Sequence, residues 1–288
     1  MKIKKQMIRS RASRPNHRRR ANRHRVNLFG LLLLCWVGAT AQPAKPVLTV
    51  GEEIKYGAYY NWKFIWVNAG EVLFRTDTIG GGEQKQWRLR ASILTYKAYD
   101  LVMTVRDTFE THLSYPEFQP LRYSRSINHG SSISRQSYQV NQQQGIADYF
   151  HKKGEQDTIK SKFAWPPNVY DLLSQAYLFR SYKFEQLKTD EIVHFPLVVD
   201  DRIDQFWFRY QGREVVKSRD GRKFNCHKIL VWLVEGEFFP KGEFMRMWFT
   251  ADSNHIPIMV ETKVHFGSVK AIFLNAKSLP YPLNSEIY

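Results

Sequence analysis

From residue 51 onward, apolar and polar side chains alternate in short runs, and this period of two constrains the fold more than any other feature. In "WRLRASIL" Trp87, Leu89, Ala91 and Ile93 share one face, and Arg88, Arg90 and Ser92 share the other. That is the pattern of a half-buried strand. Gly80-Gly81-Gly82 separates this run from "GEVLFRTDTI" and reads as a hairpin loop, because glycine adopts positive φ without a steric cost. Further candidate strands lie at 52–60, 70–78, 121–127, 133–140, 192–199, 204–210, 213–218, 226–235, 243–250, 257–266 and 269–275. Most connections between them are short, which favours antiparallel meander order. The segment 97–112 reads either as a strand or as a short helix followed by a strand.

Several C-terminal strands are apolar on both faces. In 226–235, Ile229, Val231 and Leu233 oppose Leu230, Trp232 and Val234. Along 243–250, Met245, Met247 and Phe249 form one face, while Phe244 and Trp248 lie beside Arg246 on the other. A sheet of this kind needs cover on both sides, because a large exposed apolar patch is unusual on a soluble monomer.

One segment supplies part of that cover. In "PPNVYDLLSQAYLFRSY" the residues Val169, Leu172, Leu173, Ala176 and Tyr177 recur at helical spacing. Pro166-Pro167 precede them, Asn168 suits an N-cap and Asp171 suits the first turn, so a helix is expected at about 169–182. The fold class that satisfies these constraints is mainly β: a curved antiparallel meander sheet, open or half-barrel, packed on one amphipathic helix. Residues 42–50 read as a lead-in linker, 51–276 as one β-rich domain and 277–288 as an irregular tail.

The first 41 residues read as an address. Residues 1–27 hold eleven Lys or Arg and no acid, Leu28 to Ala39 is an apolar run, and Ala39-Thr40-Ala41 offers a small-residue cleavage pattern. These are the parts of a secretory signal peptide. Twelve helical residues reach about 18 Å, short of the roughly 30 Å hydrocarbon core. Cleavage after Ala41 removes the basic run, and the formal charge of +16 falls to about +5, with 32 basic residues against 27 acidic. An ordinary surface of this kind excludes a general nucleic-acid binder. Leu34 before Cys35 argues against lipidation, and Cys226 is then the single remaining cysteine, so no internal disulfide forms. No second apolar run of spanning length follows. The expected location is the periplasm or the periplasmic face of the outer membrane.

Four blocks follow one another over most of the chain after residue 41: "GEEIKYGAYYNWKFIWVNAGEVLFR", "YDLLSQAYLFR", "DGRKFNCHKI" and "MRMWFTADSNHIPIMVETKVHFGSVKAIF". In order and spacing they resemble the exported bacterial family known as domain of unknown function 3108. The resemblance implies a Gram-negative cell-envelope protein and brings no activity or catalytic residues with it. The expected architecture is also loosely similar to that of periplasmic lipoprotein carriers, by analogy alone.

Motifs that carry chemistry are missing. His112, His129, His151, His194, His227, His255 and His265 show neither metalloprotease nor zinc-finger spacing. His255 and His265 could approach each other across a hairpin, but solvated strand residues explain both. Adjacent Cys226 and His227 point to opposite faces of a strand and cannot form a nucleophile–base pair. "GSSIS" lacks the second glycine of a nucleophile elbow. Asp200, Asp201 and Asp204 lack a calcium-loop spacing and read as an acidic turn, and Glu235 and Glu237 read as solvated strand-end acids. No cofactor and no metal is expected. The reading is a non-enzymatic binding or scaffold protein whose curved sheet meets a lipid, another apolar ligand or an envelope protein partner, with Trp207, Trp232 and Trp248 as candidate ligand-binding residues. An outer-membrane β-barrel and an enzyme of unrecognised type stand as alternatives. Against the barrel are the mid-chain helix and Pro280 and Pro282, which would interrupt a closing strand.

Overall fold

The structure is a computed structural model that describes residues 44–62, 65–99, 104–232, 242, 244–264 and 267–287. The expected signal peptide and its cleavage after Ala41 lie outside the described residues, as do His265, Glu235 and Glu237. The alternating runs become β1 (Glu52–Trp62), β2 (Ile65–Ile79), β3 (Gln86–Thr95), β4 (Arg106–Ser114), β5 (Pro120–His129), β6 (Ser132–Asn141), β7 (Ile146–Lys153) and β8 (Ile159–Ala164) in the first half. After the helix follow β9 (Ile192–Val199), β10 (Arg202–Lys217), β11 (Lys223–Trp232), β12 (Phe244–Thr250), β13 (Pro257–Lys263), β14 (Ser268–Lys277) and β15 (Glu286–Ile287). All of them belong to one antiparallel sheet. Its path runs from β8 back through β7 to β1, crosses to β14, and runs back again from β14 to β9. Every neighbour is a sequence neighbour except the β1–β14 pair and the short β15, which pairs with β11 inside the tail expected to be irregular.

β8 and β9 are therefore the two edges. The sheet curls until the β9–β10 turn reaches the far strands. There Ser161 donates to Asp201 (3.0 Å), and Gln136 and Arg125 donate to Asp200 at 3.0 and 3.4 Å. A single parallel bridge, Tyr170 to Leu197, ties the segment before the helix to edge strand β9. Among the described residues no hydrogen-bonded ladder joins the two edges, only these side-chain contacts and the bridge from β9 to the segment before the helix, so the sheet stays open and curved.

The helix is shorter than its apolar spacing suggests. α1 spans Leu172–Leu178 and passes into a 3-10 turn at Phe179–Ser181. Asn168 is not the N-cap: it sits at φ 62, outside the extended conformation an N-cap adopts. Asp171 takes that role, its carboxylate accepting from the amides of Leu173 and Ser174. Val169 is buried ahead of the helix, in irregular chain. The candidate strands at 204–210 and 213–218 are one strand, β10, interrupted by a bulge between Tyr210 and Arg213. β7 and β8 were not among the expected strands. β8 is an edge with no residue fully buried, so its sequence "IKSKFA" carries no burial pattern. At 97–112 the outcome is a 3-10 turn (Lys97–Tyr99) and then β4.

The concave face is filled by side chains. Leu173, Tyr177 and Leu178 of α1 pack with Leu89, Leu113, Tyr123, Tyr138 and Tyr149 of the β3–β7 strands. The next residues, Phe179, Tyr182 and Phe184, pack with Phe195, Phe208, Ile229, Val231 and Phe249 of β9–β12. Burying one such phenylalanine completely, as at Phe184 and Phe208, contributes roughly 2–3 kcal/mol. A third cluster, with Ile54, Tyr56, Phe224, Cys226, Trp248 and Phe273 at its centre, takes in Leu279 and Leu283 of the tail. Among the described residues, no helix is long and apolar enough to cross a membrane.

Candidate functional site

Because side chains alternate across a strand, filling the concave face with Leu89, Thr111, Tyr123 and Tyr138 sends their neighbours to the other face. Arg75 of β2 lies beside Arg90 of β3, Arg90 beside Glu110 of β4, Glu110 beside Ser124 of β5, Ser124 beside Ser137 of β6 and Ser137 beside Phe150 of β7. These residues, with Leu73, Arg122 and Arg135, line an open groove of about 640 Å³. A second groove of about 620 Å³ shares Arg122, Ser137 and Phe150 with it and adds Lys160 and Lys162.

The groove is electropositive. Arg75 is paired with Glu53 at 2.7 Å, and Arg90 and Arg88 share Asp77 at 2.7 and 3.4 Å. Arg122 and Arg135 are exposed and have no ion pair among the described residues. The Nε atoms of Arg88, Arg90 and Arg125 are buried and meet no acceptor among the described residues. Guanidinium groups with spare donors beside serine hydroxyls suit a phosphate or carboxylate, which they can hold bidentately. Leu73 on β2 and Phe150 on β7 add apolar surface to opposite ends of the groove's lining.

The three tryptophans singled out from the sequence do not form one site. Trp207 and Trp232 stack with ring centroids 6.3 Å apart and 6° between planes, and Phe244 meets Trp207 edge-on at 5.6 Å. This half-buried aromatic plate lies across β10, β11 and β12, on the face opposite Phe208 and Val231. Arg209 covers Trp207 at 5.7 Å. Trp248 is separate, 4 % exposed within the third core cluster. Its indole N–H donates to Glu214, and Lys228 lies over its ring.

A second constellation joins three distant parts of the chain. Glu185, in a 3-10 turn (Phe184–Gln186) after the helix, places Oε1 3.0 Å from His227 Nε2 on β11 and 3.3 Å from His255 Nε2 in the β12–β13 turn. Tyr210 Oη lies 2.9 Å from His227 Nδ1, and His255 Nδ1 lies 3.1 Å from the carbonyl oxygen of Arg180. Phe184 packs against both imidazoles, with centroids 5.4 and 5.3 Å away. Burial holds the His227 pKa below the ordinary value, with the charges of Arg213 and His255 acting in the same direction and Glu185 opposing them. For Glu185, burial alone would raise the pKa. Its own backbone amide and the two histidines outweigh that and lower it. The result is a carboxylate whose ionised form is favoured, beside a buried imidazole whose charged form burial disfavours.

No sequence signal announced this cluster. Residues 185, 227 and 255 stand on three elements with no short spacing between them, and His255 was expected to be a solvated strand residue, whereas it lies in the β12–β13 turn with only 12 % of its side chain exposed. Cys226 and His227 do point to opposite faces: Cys226 lies in the third core cluster, while His227 turns to Tyr210 and Glu185. Asp200 and Asp201 form the two-residue β9–β10 turn, and Asp204 takes the Arg202 guanidinium at 3.0 Å.

The family described as "Protein of unknown function (DUF3108)" matches residues 55–273. No curated protein matches the chain. Among solved structures, the chain is similar to a protein described as a beta-barrel-like protein of domain of unknown function DUF1849 from Brucella abortus. The TM-score is 0.51 at 10% identity, over 80% of this chain and 98% of that one. At that identity the likeness shows the fold alone.

Proposed function

This chain belongs to the DUF3108 family of unknown function, and from its geometry we propose that it is an exported, non-enzymatic cell-envelope protein that binds an anionic amphiphile on its curved sheet. The observation that carries this reading is the groove over β2–β7. Arg75, Arg90, Arg122 and Arg135 line it together with Leu73 and Phe150, and it encloses about 640 Å³, a volume within the range of small-ligand sites. A phosphate or carboxylate headgroup would engage the arginine and serine donors, and a short apolar segment would lie along Phe150, which neighbours Ser137. Export is supported by the basic, apolar and A-x-A segments of residues 1–41.

The packed concave face is a reason to seek the ligand on the outward face. The same outward rows weigh against an outer-membrane barrel, since arginine facing lipid near the bilayer midplane costs about 2–4 kcal/mol. The unpaired edges β8 and β9 weigh against it too.

The test is native mass spectrometry, with solvent extraction, of the protein exported to and purified from a bacterial periplasm. It is followed by titration with phosphatidylglycerol and phosphatidylcholine micelles. The expected result is a stoichiometric acidic lipid adduct and preference for the anionic micelle, weakened at least tenfold in an Arg122→Glu, Arg135→Glu variant. An adduct-free protein with equal or no affinity for the two micelles overturns the reading.

A further inference from the structure

His255 is placed between two acceptors. Its Nδ1 faces the carbonyl oxygen of Arg180 at 3.1 Å, and its Nε2 faces the Glu185 carboxylate at 3.3 Å. A neutral imidazole has one N–H and one lone pair. With the proton on Nδ1, donating to the carbonyl, the Nε2 lone pair points at an anion. That arrangement is stable only when a positive charge lies between Nε2 and the carboxylate, either a proton or a cation. His227 brings a second Nε2 to the same carboxylate oxygen at 3.0 Å.

We propose that Glu185, His227 and His255 form a binding site for a divalent first-row transition-metal ion, Zn²⁺ foremost. Two imidazole nitrogens and one carboxylate oxygen form a donor set that zinc uses with a fourth position left open. The dimensions agree. Zinc bonds of 2.0–2.1 Å in a tetrahedral arrangement place donor atoms about 3.3 Å apart, and the two nitrogen–oxygen separations are 3.0 and 3.3 Å, with all three donor atoms within 4.8 Å of one another. The outer partners are in place as well. The Arg180 carbonyl fixes His255 with Nδ1 protonated and Nε2 free to ligate, and Tyr210 does the same for His227 when its oxygen accepts from Nδ1. Partners of this kind set the tautomer and orientation of metal-bound histidines. His227 is completely buried and His255 nearly so, whereas the Glu185 side chain is 46 % exposed. The ion can therefore enter past Glu185, and the open position faces solvent.

His255 also sits at φ 43, a left-handed conformation unusual for a residue with a side chain. The β12–β13 turn holds it there: the His255 amide donates to the Asp252 carbonyl, and the Asp252 carboxylate accepts from the Asn254 amide. That conformation aims the imidazole at Glu185. The site shares no residue with the arginine-lined groove, so its existence does not depend on the function proposed above.

The experiment uses the intact, tag-free protein, stripped with chelator, loaded with Zn²⁺ and freed of excess by gel filtration, with metal counted by mass spectrometry. Co²⁺ loading gives a second readout through the visible bands of a tetrahedral nitrogen–oxygen site. The expected result is one Zn²⁺ per chain, at least tenfold weaker binding in Glu185→Gln and in His255→Gln, and about 10- to 100-fold weaker binding in Tyr210→Phe. Glu185→Gln alters a half-exposed side chain, so its chelator-treated melting temperature should match that of the stripped parent and separate lost ligation from lost folding. Substoichiometric zinc in the parent overturns the site. So does stoichiometric zinc that survives in all three variants.

Discussion

Arg180 and Glu52, 128 positions apart, form a two-point ion pair with guanidinium-to-carboxylate distances of 2.6 and 3.0 Å. Their side chains are only 6 % and 1 % exposed. The pair fastens the end of the helical segment to the first strand, while Arg180 Nε donates to the Asn254 carbonyl of the β12–β13 turn. Burial opposes the Arg180 charge, and the hydrogen-bonded Glu52 carboxylate outweighs it and raises the pKa. Removing one partner strands a charge in the interior. Glu52→Gln or Arg180→Met should each cost about 3–5 kcal/mol in urea unfolding. The double variant Glu52→Leu, Arg180→Met should recover most of that loss, because the strongest penalty belongs to the unpaired charge and not to the missing pair. A double variant as unstable as the sum of the singles would refute this account.

Asp171 is the second anchor of the helix. Its carboxylate is fully buried and accepts from the amides of Leu173 and Ser174 at 3.0 and 2.9 Å, from the Ser174 hydroxyl at 2.6 Å and from the Thr111 hydroxyl at 2.9 Å. Asp171→Ala removes the cap and leaves these donors without that acceptor, which should cost about 2–4 kcal/mol. Asp171→Asn keeps an amide acceptor and should cost less. Chemical denaturation of the two variants gives the order. An alanine variant within 1 kcal/mol of the parent would show that the segment is held by tertiary packing alone.

β7 was missed although it buries Ala147 and Tyr149, because Ile146 and Phe150 put apolar residues on its other face too. Most strands with one buried face were nonetheless legible from the sequence, because burial writes a period of two into the residues. This holds for β3, whose Leu89 and Ala91 face the core. It fails for β8, whose edge position buries no residue fully, and a segment without a buried face has no pattern to read. The helix was legible by its spacing but not by its ends. Val169 is buried ahead of α1, so its place in the apolar series extended the expected helix by a turn, and a left-handed Asn168 cannot be distinguished from a capping one by residue type. The tryptophans were visible, but their grouping was not. Trp207 and Trp232 meet because they lie on neighbouring strands, whereas Trp248 lies in the core beneath the tail. The Glu185, His227 and His255 cluster was illegible because it depends on a turn after the helix meeting strand β11 and the β12–β13 turn far along the chain.

Cys226 tests whether the third core cluster is as closed as its contacts suggest. Burial first, then the charges of Asp252 and Glu214, pushes the thiol up to about 12 from an ordinary 9.0. A raised folded value favours the neutral form, so this contribution to stability is complete below pH 9.0 and is lost as pH rises toward 12. In between, the unfolded chain ionises and the folded one does not. With Cys35 replaced by Ser in both proteins, the stability lead of Cys226 over Cys226→Ala should shrink by about 1.4 kcal/mol per pH unit above 9. The thiol should also resist alkylation at pH 8 until denaturant is added. A lead that stays constant from pH 8 to pH 11 would mean that the thiol ionises in place.

Two surfaces compete as the ligand face of the sheet, and single substitutions separate them. Arg122 is exposed and has no ion pair among the described residues, so Arg122→Glu should alter stability by no more than about 0.5 kcal/mol. It should nonetheless weaken binding of the phosphatidylglycerol micelle, and raising the salt concentration should weaken parental binding in the same direction. Trp207 belongs to the aromatic plate with Trp232 and Phe244, on strands away from the groove. Trp207→Ala should cost stability through the lost ring contacts, about 0.5–1.5 kcal/mol for the stacked pair beyond its area, and leave micelle affinity unchanged. Micelle titrations of both variants, each with its unfolding curve, decide between the faces. If Trp207→Ala lowers affinity and Arg122→Glu does not, the ligand belongs to the aromatic plate and the arginines serve only to keep that face of the sheet in water.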